Sequence, residues 1–113
     1  MDDFIAVESA IIPEIREIRL YAETVDHVRK HHPEIPASFP TLEFAVLETL
    51  QNPTHVEKSC QSSDVFVNTH SMNRSGDPLR VPIKIVAGTS ARVKSFYFAT
   101  PITEPTIVWR RFS

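Results

Sequence analysis

Glycine is nearly absent from this chain of 113 residues: Gly76 and Gly88 are the two copies. That scarcity excludes the glycine-rich loops that cradle nucleotide phosphates. It also makes both glycines strong markers of turns, at Asn73–Pro78 and Ala87–Ser90. Cysteine is scarcer still. Cys60 stands alone, so no internal disulfide framework and no paired-cysteine zinc pattern can form. No run approaches the roughly 18 apolar residues of a membrane span, which predicts no membrane partner. Met1-Asp2-Asp3 lacks the basic start of a secretory signal. With the lone cysteine, this points to a reducing, cytoplasmic setting. An excess of positive charge is missing too. Twelve Lys and Arg face fourteen Asp and Glu, a formal net charge of −2. Unselective nucleic-acid binders are usually strongly basic, so any grip on RNA must come from a local cluster.

Proline, by contrast, is frequent, with nine copies. Length and composition predict a single domain over residues 1–113. Its second half reads as β-structure. Three strand-like segments run from Asp64 to Thr69, Leu79 to Val86 and Arg92 to Thr100. The middle one alternates Leu79, Val81, Ile83 and Ile85 with Arg80, Pro82 and Lys84. Such alternation marks a half-buried antiparallel strand, and the short turns between segments predict a meander. Pro82 cannot donate to a ladder, so its backbone must face a bulge or an unpaired side. The tail Thr106–Phe112 offers a further strand. The first half reads as helical. Thr24 is a candidate N-cap for a helix to about His31, which His32-Pro33 closes. A second helix is predicted after Ser38, with Pro40 in its first turn. It runs to about Leu50, with Leu42, Val46 and Leu50 on its apolar face. The stretch Glu14–Tyr21 fits a helix or an edge strand, with a strand near Ile18–Ala22 the better fit. The expected architecture is α+β: two N-terminal helices packed on a twisted antiparallel sheet of about four strands.

The densest chemistry lies at Asp26-His27-Val28-Arg29-Lys30-His31-His32-Pro33-Glu34. On a helix, His27 and His31 share a face. Imidazoles exchange protons near neutral pH, and cations beside them suit a phosphate. The same spacing fits a metal pair, but Val28 stands where a zinc-protease motif has glutamate, and no third ligand is identifiable. No metal and no cofactor are therefore expected. Histidines that merely cap a helix C-terminus are the structural alternative.

The order of these pieces resembles a known group. His27–Glu34 is similar to an "HI-x-x-RHPE" pattern, and Val46–Val56 to "I-x-x-TL-x-NP-x-x-V". Leu79–Val86 and Ser95–Pro101 are similar to its two closing strands. The group is the phage- and toxin-associated branch of the barnase–EndoU–colicin–RelE ribonucleases, matched over about residues 20–101. The resemblance implies metal-independent RNA cleavage through the 2′-hydroxyl by a toxin-like or phage-associated effector. RNA is the implied partner, with an antitoxin or immunity protein as a further one. It maps the helical histidine to His27, the HPE segment to His32–Glu34 and the late-strand hydroxyl to Thr100, with Ser95 a looser match. His31 stands where the pattern has arginine, and Tyr97-Phe98 depart from its tyrosine-proline ending. The expected catalytic set is His27, His32 and Thr100. Arg19, Arg29, Lys30, His31, Lys84 and Ser95 are the expected substrate-binding set. A catalytically silent RNA- or protein-binding module on the same scaffold is the alternative.

Overall fold

The computed structural model describes residues 3–8, 11–12, 15–31, 42–58, 63–72, 75–100 and 106–111. Among them are eight strands and two helices. The strands are β1 (Phe4–Glu8), β2 (Glu17–Tyr21), β3 (His55–Lys58), β4 (Ser63–Met72), β5 (Pro78–Ala87), β6 (Ser90–Val93), β7 (Tyr97–Phe98) and β8 (Thr106–Arg110). The helices are α1 (Ala22–His31) and α2 (Leu42–Gln51). All strands join one sheet in the order β1-β2-β6-β5-β4-β3-β8, with β7 beside β5.

This corrects the expected architecture of two N-terminal helices on about four antiparallel strands. The antiparallel hairpin β1–β2 precedes both helices. The sheet has eight strands and is mixed, because β2 pairs with β6 in parallel. Two strands escaped the sequence reading for a physical reason. Phe-Ile-Ala-Val-Glu in β1 does not alternate cleanly, and only Val7 is buried there. β3 is four residues with one aliphatic side chain, Val56, and is a strand because β4 and β8 flank it. The meander itself is present as β4–β5–β6, all antiparallel.

Pro82 marks where the third segment splits. β6 pairs with β5 down to Ile83↔Val93, and β7 resumes at Arg80↔Tyr97. Opposite Val81 and Pro82 the partner chain leaves the ladder, and only the Lys94 N–H donates to the Pro82 carbonyl, at 2.8 Å. An imino nitrogen with no hydrogen to give is tolerated at such a gap. At the neighbouring turn Gly88 takes a positive φ of 53°, a left-handed conformation that glycine adopts without strain.

Alternation decides the two faces of the sheet. Ile18 and Leu20 of β2, Ala91 and Val93 of β6, Leu79, Val81 and Ile83 of β5, and Phe66 of β4 are buried on one face. Val25 and Val28 of α1 and Ala45, Val46 and Leu50 of α2 belong to the same cluster. Each fully buried aliphatic side chain stabilises the fold by about 1.5–3 kcal/mol. Thr49 sits in this layer with its hydroxyl donating to the Ala45 carbonyl at 2.9 Å, which spares it an unmet bond. α1 starts two residues before the expected N-cap. Thr24 is buried inside it, and the Ala22 N–H instead donates to the Asp3 carbonyl at 2.9 Å. The backbone carbonyl of the residue before β1 thus does the work expected of a side chain.

Candidate nucleic-acid interface

Tyr21 ends β2 and Ala22 opens α1 without a loop, so the helix rises from the carboxyl end of the strand. β6 runs parallel to β2 and ends beside it at Val93. α1 turns Thr24, Val25 and Val28 inward, which leaves His27 on the flank that faces the end of β6. There Glu23, Thr24, His27, Arg92 and Lys94 line a groove of about 410 Å³. His31 lies one turn on, its ring 4.3 Å from that of His27 and tilted by 41°. Arg92 reaches toward Glu23 at 3.6 Å, and its guanidinium carbon sits 4.9 Å from the centre of the Tyr21 ring.

Arg92 also belongs to a row across the outer sheet face. In register, Arg19 of β2 pairs with Arg92, and Arg92 pairs with Lys84 of β5. With neighbouring strands about 4.8 Å apart, the backbones of these three basic residues lie side by side within roughly 10 Å. Like charges directly opposite one another destabilise a sheet. Carboxylates offset part of that cost: Glu17 accepts a hydrogen bond from the Arg19 Nε, and Glu23 faces Arg92. Arg19 also donates to the Tyr21 hydroxyl at 3.5 Å. The Tyr21 and Glu17 bonds, in that order, raise the Arg19 pKa further above its usual value.

The expected site residues divide. His27 lines the groove, and His31 stacks on it. Arg19 and Lys84 stand in the basic row. Lys30 is three residues from His27 and shares its exposed side, whereas Arg29, two residues away, points to the other flank of the helix. Ser95 is half-buried between β6 and β7 and is not among the groove's lining. Thr100 is not brought to His27. Its hydroxyl donates to Asp77 at 2.6 Å, and the adjacent Ala99 N–H bonds to Pro78. Lys94 meets β5 at Pro82 and Ala99 meets it at Pro78, roughly 13 Å further along that strand, and Thr100 lies beyond Ala99. His32 is outside the described residues. The sequence reading missed Arg92, although the alternation Ser90-Ala91-Arg92-Val93 places it on the polar face.

A second polar cluster was also missed. Arg80 donates two hydrogen bonds to the Glu57 carboxylate, at 3.1 and 2.6 Å, and both residues are buried, at 9% and 3% exposure. His55 Nε2 is 2.8 Å from the same carboxylate. Burial pushes the Glu57 carboxyl up, but the bonds from Arg80 and then His55 outweigh it and hold its pKa below the usual range. For Arg80, burial works against the charge, and the bonds to Glu57 and Tyr97 overcome it. No sequence signal joins these residues, because β4 lies between the strands that carry them. Arg111, near the chain's end, donates to the carbonyls of Asn52 and Pro53 and so ties down the turn after α2.

Two other depressions are more apolar. One of 220 Å³ has Asp3 as its one charged residue among Phe4, Ile5, Leu20, Ala22 and Val25. The other, 670 Å³, holds Lys58 and Asp64, which pair with each other at 3.6 Å. Among the described residues no three His, Cys, Asp or Glu side chains are grouped to hold a metal ion, and no helix is long and apolar enough to cross a membrane. Comparison with known proteins finds no matching family model, no matching curated protein and no matching solved structure.

Proposed function

We propose that the chain binds RNA at the His27 groove and the adjoining basic row, and cleaves it without a metal ion. The observation that carries this reading is the row Arg19–Arg92–Lys84, which opens at Arg92 into a groove lined by His27 and Lys94. A chain of net charge −2 has concentrated cations on one face at a cost to its sheet. A local rule broken in this way is expected where a site needs it. In the reaction, the 2′ oxygen bonds to phosphorus and the bond to the 5′ oxygen breaks, leaving a 2′,3′-cyclic phosphate. One imidazole of the His27–His31 pair takes the 2′-hydroxyl proton, and the other gives a proton to the departing 5′ oxygen. Arg92 and Lys94 hold the phosphate oxygens as charge builds on them. With the resemblance described above, this makes the chain a toxin-like or phage-associated effector, for which an antitoxin or immunity protein is the expected partner.

The alternative is a catalytically silent RNA-binding module. Thr100 favours it, since its hydroxyl is engaged with Asp77 and does not reach a phosphate held by Lys94. The test is incubation of total RNA with excess chelator and either the parent or His27→Ala. Cleavage that leaves cyclic phosphate ends and is lost in the variant is the expected result. Equal cleavage by both would remove His27 from the mechanism. RNA binding without cleavage by either would leave the silent module.

A further inference from the structure

Two of the cations on the outer face lie against a pair of aromatic rings. Phe4 of β1 and Tyr21 of β2 are register partners, with ring centres 5.3 Å apart and planes tilted by 50°. The Arg19 guanidinium carbon lies 4.4 Å from the centre of the Phe4 ring, and that of Arg92 4.9 Å from Tyr21. Phe4 is 44% exposed on an edge strand. A phenylalanine on that edge would ordinarily be a pairing and aggregation hazard. Four planar groups thus run Arg19, Phe4, Tyr21, Arg92, and the last also lines the His27 groove.

We infer that Phe4, Tyr21 and the two guanidinium planes form a platform for unstacked bases, so that the RNA class bound is single-stranded. This rests on the RNA-binding reading of the adjoining groove. A phosphate held by Arg92 and Lys94 puts the neighbouring base over the β1–β2 hairpin. Base faces are open to aromatic and guanidinium planes in a single strand, whereas in a duplex they are stacked on one another. Bases of any identity have such a face, so the platform confers preference for strandedness and little for sequence. The hairpin arm is separate from the histidine cluster, so stacking and cleavage can be altered independently.

The experiment is fluorescence anisotropy with a labelled 2′-O-methyl oligonucleotide, which cannot be cleaved, as a single strand and as a duplex. The proteins are the parent, Phe4→Ala, and Phe4→Leu, which keeps apolar bulk but has no ring. The half-exposed position of Phe4 makes both variants compatible with folding, which the denaturation midpoint verifies. The parent should prefer the single strand. Both variants should bind the single strand about 5- to 150-fold more weakly, the worth of one stacked base. Their salt dependence should match that of the parent, because no phosphate contact is removed. Salt-dependent binding by the parent with no loss in either variant, or equal affinity for the duplex, overturns the platform and leaves the RNA-binding reading standing. Binding of neither RNA by the parent overturns both.

Discussion

Replacing Arg80 by methionine removes both hydrogen bonds to Glu57 and leaves that carboxylate 3% exposed, with His55 as its remaining partner in the network. The geometry sets the expected size. An exposed pair would be worth at most about 1 kcal/mol. This pair is bidentate and buried, so breaking it from one side should cost about 3–5 kcal/mol. For a domain of this length that lowers the melting temperature by more than about 10 °C. It also removes roughly a fifth or more of a typical total stability of about 5–15 kcal/mol. The double variant Glu57→Leu/Arg80→Met should lose less than Arg80→Met alone, because no stranded charge remains and two apolar side chains fill the space. Urea and thermal unfolding of the parent, both single variants and the double variant give the coupling directly. If Arg80→Met costs under about 1 kcal/mol, the network is no stronger than a surface pair. If the two single losses simply add in the double variant, the side chains do not act as a unit.

The same network predicts an acid-labile fold. The folded-state pKa of Glu57 is below its ordinary value of 4.5. Its stabilisation is therefore complete above about pH 4.5 and disappears as pH falls through the lowered value. Urea midpoints measured across that range should drop more steeply for the parent than for the double variant, and parallel curves would show that Glu57 does not contribute. In the basic row, Lys84→Gln removes one like-charged neighbour of Arg92. It should leave stability unchanged or raise it by about 0.2–1 kcal/mol while weakening RNA binding and lowering its salt dependence by about one phosphate contact. Loss of stability together with unchanged binding would mean that the row is an ordinary part of the sheet.

The parts of the fold legible in the sequence were those whose cause is local. The alternation in β5 and the glycine turn at Gly88 report their own structure, and β4–β5–β6 follows from them. The helix from Ala22 to His31 was visible apart from its cap, which Asp3, just before β1, supplies. β1 and β3 were not visible, because their strand state depends on the strands they pair with rather than on their own pattern. The parallel pairing of β2 with β6 is invisible for the same reason, and with it went the neighbourhood of Arg19, Arg92 and Lys84. His27 could be singled out from its companions on one helix face. Its placement beside Lys94 could not, since that depends on where β6 stops.

The β2–β6 pairing also orders the assembly of the candidate site in time. Synthesis delivers Glu17–Tyr21 and α1 early, but β2 has no second neighbour until Ser90–Val93 has been made. Contacts between segments so far apart in sequence form slowly, after the loop between them has closed. A nascent chain that has not reached Val93 carries His27 on its helix with neither Arg92 nor Lys94 beside it. The row of cations and the groove come into being together, at a step that already requires most of the sheet. On the proposed reading, a truncated or half-folded copy would thus be harmless to RNA, because the groove is complete only once Lys94 is in place.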